Sequence, residues 1–246
     1  MAYPAELSHG EAFARHKDHC RRLIDEHRLH DICEIGGGRS PLFAGDEIRS
    51  MGASYTILDI SPEELALAPG EYEKMCVDIC TPAQPANVQR FDFMFSRCVA
   101  EHVSSGDAMH RNVYRMLKPG GIAFHFFPTL YSPAFVANRL LPQGLTSAVK
   151  ARLVPGSAPK FPARYSRCNG PTLRMRRFLE AIGYEILEFR PFYGTAYFGR
   201  LPVLRTFDER LTSWAANRRS THLTSFAYLI LHRPVGPRSV SSPTFD

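Results

Sequence analysis

The stretch DICEIGGGRSPLF sets three consecutive glycines, Gly36, Gly37 and Gly38, between the apolar run Asp31–Ile35 and Pro41. Glycine admits positive φ and lets a ligand come close to the backbone, and a helix opening after such a turn offers free N–H groups to a carboxylate or phosphate. A dinucleotide fingerprint counted from Gly36 needs its third glycine at position 41, where this chain has Pro41, so a nicotinamide cofactor is disfavoured. Other side chains that could do chemistry are weaker candidates. His9, His16, His19, His27 and His30 crowd the N-terminus, but their spacings give neither an i, i+4 ligand pair nor a zinc pattern. A solvated helix face is expected for them. His125 falls mid-strand between Phe124 and Phe126 and reads as a core histidine. The six cysteines form no C-x-x-C pair and several sit in apolar runs, as reduced thiols of a cytoplasmic protein would.

The elements that must position these residues follow from hydrophobic period and punctuation. An amphipathic helix over about Ser8 to His27 precedes HDICEIG. SYTILDI, KMCVDI, FDFMFS and GIAFHFF follow, with segments of helical period between most of them. Such alternation predicts an α/β fold with a doubly wound, mostly parallel sheet. The glycines then occupy its first strand-to-helix turn, at the edge where such sheets bind ligands. SPEE at Ser61–Glu64 has the serine, proline and glutamate of a helix start, and Pro69-Gly70 stops that helix early. Ala108, Val113, Met116 and Leu117 share a helical face that ends at the KPGG turn. Leu173, Met175, Phe178, Leu179 and Ile182 share another, closed by Gly183.

Glu34, Gly36, Gly38 and Ser40 resemble motif I, E/D-x-G-x-G-x-G, of the class I S-adenosylmethionine-dependent methyltransferases, in particular the type 11 group. Ser40 departs from the motif's last glycine but is still small. Further motifs follow in that family's order. Asp59 ends the second strand, where the family grips both ribose hydroxyls, with Ile60 beside it. Asp78 closes the third strand, where the family has an acid near the adenine amino group, with Ile79 next. FDFMFSRCVAEHV, including Ser96 and Arg97, resembles the fourth strand and its LEHV turn, and RMLKPGGIAFHFFP resembles the approach to the fifth. The resemblance covers Asp31 to Pro128 and continues more weakly through FLEAIGYEILEFRPFYG and SFAYLILHRP. It implies a seven-stranded sheet closed by two antiparallel strands, a single domain over 1–235, a loose tail at 236–246, and S-adenosylmethionine as cofactor.

A sulfonium methyl is already activated, so the protein mainly aligns a nucleophile and excludes water. Methylation of a hydroxyl gains from a base, and His102, after the fourth strand, is the candidate. Related quinone-pathway O-methyltransferases hold a metal through Glu-x-x-Glu-His at this turn. The matching residues here are Cys98, Glu101 and His102, so one carboxylate is missing and no metal is expected. The insertion at about 129–170 is far longer than a usual connection and reads as a lid over the cleft. Its apolar and cationic residues, with Tyr131, Phe135, Arg139 and Tyr165 as candidates for substrate contact, suit a small-molecule, glycan or lipid-like acceptor.

Charge and composition bound the alternatives. Residues 1–130 carry 13 Lys/Arg against 18 Asp/Glu, a net −5, whereas residues 131–246 carry 17 against 6, a net +11. The basic half would suit an anionic membrane surface or nucleic acid. An RNA or DNA methyltransferase is the runner-up, yet the fourth strand ends in SRCV rather than a D/N-P-P-Y/F motif, and no Pro-Cys pair supplies an attacking thiol. Specific nucleic-acid binding is therefore not expected. A catalytically silent binding protein would be expected to lose motif I or Asp59, and both are intact. The N-terminus lacks the cationic start and apolar run of a secretory signal. The uncharged stretch Pro119–Asn138 is interrupted by Pro128 and Pro133, so no membrane span is expected.

Overall fold

The computed structural model describes residues 4–130, 162–195 and 202–236. Its strands are β1 (Asp31–Ile35), β2 (Ser54–Asp59), β3 (Glu73–Cys76), β4 (Phe91–Arg97), β5 (Leu117–Pro128), β6 (Glu185–Phe192) and β7 (Phe226–His232). They form one sheet in the order β3-β2-β1-β4-β5-β7-β6. β1 to β5 run parallel, and β7 lies antiparallel between β5 and β6. The doubly wound, seven-stranded α/β fold expected from the sequence is thus present, and the crossover between β3 and β4 puts a topological switch at the β1/β4 boundary. Ligands bind at such a switch, beyond the carboxyl ends of the strands.

The described helices are α1 (His9–His27), α2 (Gly45–Met51), α3 (Pro62–Leu67), α4 (Gly106–Met116), α5 (Leu173–Ile182) and α6 (Pro202–Asn217). Two apolar layers flank the sheet. On one side Met94, Ala123 and Leu229 are buried with Val113 and Leu179, and on the other Phe93, Phe124 and Ile230 with Leu23 and Ile48. Burying a side chain of this size contributes about 1.5–3 kcal/mol, so the paired layers dominate the stability. The helix starts follow the sequence signals. Ser8, Ser61, Ser105 and Thr172 each accept a backbone N–H from the residue three positions on, and Gly183, at φ 119°, ends α5.

Several expectations need correcting. His16 and His19 are buried, not solvated, and their rings lie 5.0 and 5.2 Å from that of Phe124. His16 is four residues from both Ala12 and Cys20, so it falls on the very stripe that faces the sheet. Burial holds the His16 imidazole down at about 3 and that of His19 at about 4. The KPGG turn does not precede β5 but is absorbed into it. Phe91 pairs with Leu117 and Phe93 with Ile122, so the extra residues bulge out of the strand. β3 ends at Cys76, two residues before Asp78. Leu173 is 62% exposed and takes no part in the face assigned to it. His125 is buried as expected, donating or accepting across a 2.8 Å hydrogen bond to Ser96 Oγ.

Candidate active site

β1 leads directly into the glycine turn, where Gly36 has φ 76° and Gly38 φ 49°, conformations that L side chains rarely adopt. Close packing adds a second restriction. A Cβ on Gly36 would collide with Val99 Cγ2, and one on Gly37 would come within 2.9 Å of Glu34 Cδ. The Gly36 N–H donates to Leu58 O at 2.7 Å, tying the turn to β2. The bare backbone of the turn therefore faces the end of β2, and a Cβ on Gly38 would lie 3.3 Å from Asp59 Oδ2. Asp59 Oδ1 accepts the Ser61 N–H at 2.9 Å, which fixes the carboxylate. Glu34 is buried and its Oε2 accepts from Tyr55 OH at 2.6 Å and from the Leu42 N–H at 2.9 Å. Burial raises its carboxyl. Its contacts hold the loop in shape from behind, while Ser40 is exposed at the loop's outer side.

The helix after the turn starts only at Gly45. The N–H groups expected free at its start are not all so, since Leu42 N–H is taken by Glu34 and Ala44 N–H by Glu47. Ile60, next to Asp59, is 53% exposed, an apolar surface at the mouth of the cleft. Asp78 Oδ1 accepts the Cys80 N–H at 2.8 Å, and Ile79 is buried. Asn112 on α4, a residue that sequence reasoning missed, donates to Ile79 O at 2.8 Å and to Thr81 O at 2.6 Å and so pins this loop. An Asn inside a helix facing a strand end carries a signal, but only once the topology places the two together. The Ser96 side chain turns inward to His125, leaving its backbone at the strand end, whereas Arg97 is exposed. The turn, Asp59, Ile60, Asp78 and Arg97 thus share the carboxyl edge of the sheet.

Residues 34–125 match a family model described as a methyltransferase domain. These residues carry a methyltransferase domain. The methyltransferase matches the solved S-adenosylmethionine-dependent methyltransferase from Mesorhizobium loti at 18% identity and a TM-score of 0.53, covering 83% of this chain and 91% of that one. It matches the cyclase SpnF at 19% and 0.54, covering 89% and 82%. The CMeT domain structure of the citrinin polyketide synthase matches at 15% and 0.53, covering 92% and 52%. Likeness at these identities establishes the fold alone, and the same fold serves more than one reaction. No curated protein matches the chain. The cofactor is S-adenosylmethionine, and the residues present fit it: a turn kept free of Cβ atoms by sterics faces a fixed carboxylate and an exposed apolar side chain.

On the acceptor side of the methyltransferase, His102 lies in the turn after β4. Its Nδ1 is 3.3 Å from Pro162 O and its Nε2 3.7 Å from Glu101 Oε1. Glu101 is buried, Oε2 has no hydrogen-bond partner, and desolvation raises its carboxyl to about 8. Among the described residues no group of three or more His, Cys, Asp or Glu side chains converges on one point. Tyr165, expected to meet substrate, is buried in the core and its N–H donates to Glu101 O at 3.0 Å, so it supports the turn instead. Its φ of 52° bends the backbone inward there, which nothing in the sequence announces. Tyr131, Phe135 and Arg139 lie outside the described residues, as does most of the lid.

Proposed function

We propose that the protein methylates an oxygen of a small-molecule, glycan or lipid-like acceptor, with His102 as the general base. The cofactor, when bound, supplies an electrophilic methyl on a sulfonium. On this reading Gly36–Gly38 and Asp59 bind it, Ile60 covers its ribose and adenine side, Asp78 and Ile79 line the adenine pocket, and Arg97 closes the cleft beyond β4.

The observation that carries the reading is the setting of His102. A carbonyl oxygen can only accept, so its 3.3 Å approach to Nδ1 favours the tautomer with hydrogen on Nδ1 and a lone pair on Nε2. That lone pair is what a hydroxyl acceptor needs as its proton leaves. General-base assistance typically contributes about 10²–10⁴-fold. We place the protein in the cytoplasm, in keeping with six unpaired cysteines of which Cys20, Cys33 and Cys168 are buried. Among the described residues no helix is long and apolar enough to cross a membrane, and the basic C-terminal half suits contact with an anionic membrane surface.

Methyl transfer from radiolabelled S-adenosylmethionine into pools of hydroxyl-bearing acceptors tests this. His102→Ala should lower the rate about 10²-fold or more while cofactor affinity stays unchanged. Unaltered turnover in that variant, or label entering purified RNA in place of any small acceptor, would refute the proposal.

A further inference from the structure

A cavity of about 700 Å³ lies beyond the glycine turn, between the N-terminal end of α1, the exit of β6 and α6. His9 and Thr195 line one wall, and Asp208, Thr212, Trp214 and Asn217 the other. His9 Nδ1 and Thr195 Oγ1 are buried with no hydrogen bond. Asp208, on the same cavity, is 7% exposed. Folded proteins pair nearly all buried polar atoms, so two unmet atoms beside a nearly buried carboxylate point to something that meets them.

The cavity shares an edge with the cofactor site. Pro128 at the end of β5 pairs with Phe226 at the start of β7, and Phe226 pairs with Phe192 at the end of β6. A row of packed aromatic rings runs beneath this edge from one place to the other. The His9 ring stacks on Phe226 at 6.1 Å, Phe226 lies 5.7 Å from Phe126, and Phe126 is in register with Arg97. β6 is three strands from β4, and at about 4.8 Å per strand the separation is roughly 14 Å. A single acceptor molecule two rings long can bridge it.

The lining specifies the chemistry. Hydroxyl and amide groups of Thr195, Thr212 and Asn217 both donate and accept, Asp208 accepts strongly, and Trp214, 52% exposed, offers a flat apolar face. That combination suits a ring with hydroxyls around its rim and C–H groups on its faces. An organic cation fits less well, because the Arg218 guanidinium already sits 5.9 Å over the Trp214 ring and Arg210 lies on the wall. An alkyl chain would leave the polar groups unmet. We propose that this cavity holds a hydroxyl-rich, sugar-like part of the acceptor while the atom to be methylated lies over the end of β4. The inference rests on the small-acceptor reading given above.

Trp214 is the only tryptophan of the chain, so its fluorescence reports on the cavity directly. The intact protein, without cofactor, is titrated with a panel of methyl glycosides and disaccharides, and separately with choline chloride and with octanoate. A saturable signal from at least one saccharide is expected. Its affinity should drop tenfold or more in Asp208→Asn and several-fold in Thr195→Val. The thermal midpoint of each free variant should stay level or rise, because Thr195→Val removes an unmet buried hydroxyl and Asp208→Asn a nearly buried charge. Saturation by choline or octanoate instead, silence across the saccharides, or saccharide affinity unchanged in both variants would overturn the inference. Its failure is separable from that of the parent reading. Saccharide binding without any methyl transfer counts against the reaction alone, and transfer to a hydroxyl acceptor that lacks any sugar-like part, indifferent to Asp208→Asn, counts against the cavity alone.

Discussion

Gly38 and Asp59 face each other so closely that a Cβ on Gly38 would stand 3.3 Å from Asp59 Oδ2 and push the carboxylate aside. With φ at 49°, Gly38 is also in the left-handed region, where a non-glycine residue costs about 1–2 kcal/mol. Gly38→Ala is therefore expected to lower stability by about that amount and to weaken binding of S-adenosylhomocysteine by roughly tenfold through the displaced carboxylate. Thermal melts and calorimetry on the same sample measure both.

Acid should unfold this protein early. His16 and His110 are held neutral by burial, at about 3 and about 4, and burial also holds His125 well below its ordinary value. Unfolded histidine takes up its proton near pH 6.5, so above that pH both states are neutral and the fold is at full stability. As pH falls from 6.5 toward 4 only the unfolded chain gains protons, and stability drops by about 1.4 kcal/mol per pH unit for each such histidine. His110 alone accounts for roughly 3 kcal/mol by pH 4. Denaturant midpoints measured from pH 7 to pH 4 should fall steeply. His110→Gln should flatten the curve.

Glu101 behaves in the opposite sense. Its folded carboxyl sits at about 8, above the ordinary carboxylate range, because it is desolvated. The stability tied to its proton is complete below the unfolded value near 4.5 and is lost as pH rises through 8. Glu101→Gln keeps the shape without the charge. It should stabilise the protein at pH 8 by a few kcal/mol, with the gain vanishing near pH 4.5. A gain that does not change with pH would show that the Glu101 carboxyl does not titrate in this way.

The residues that made the fold legible in the sequence are local in their action. The cap at Ser61, the stop at Gly183 and the strand runs declare themselves within a few positions. The glycine turn did so as well, because its lack of side chains is itself the signal. What stayed hidden depends on which surfaces meet. His16 and His19 are polar by type, which points to solvent, but their place on the apolar stripe of α1 decides for burial. Asn112 acts on Ile79 O and Thr81 O from more than thirty positions away. Tyr165 has the neighbours in the chain of a substrate contact, yet with a left-handed backbone it lies in the core. Motif spacing makes Glu101 look like a metal ligand, and only its burial shows an acid whose Oε2 has no hydrogen-bond partner and whose carboxyl is raised.

The most direct test is calorimetric titration of S-adenosylhomocysteine into the parent protein and into Asp59→Ala. Both proteins must first share a thermal midpoint, since Asp59 also accepts the Ser61 N–H. Removing a charged acceptor of two hydroxyl hydrogen bonds should cost about 1.5–3 kcal/mol, or roughly ten- to 150-fold in affinity. A folded Asp59→Ala protein that binds as tightly as the parent would contradict the cofactor site described above.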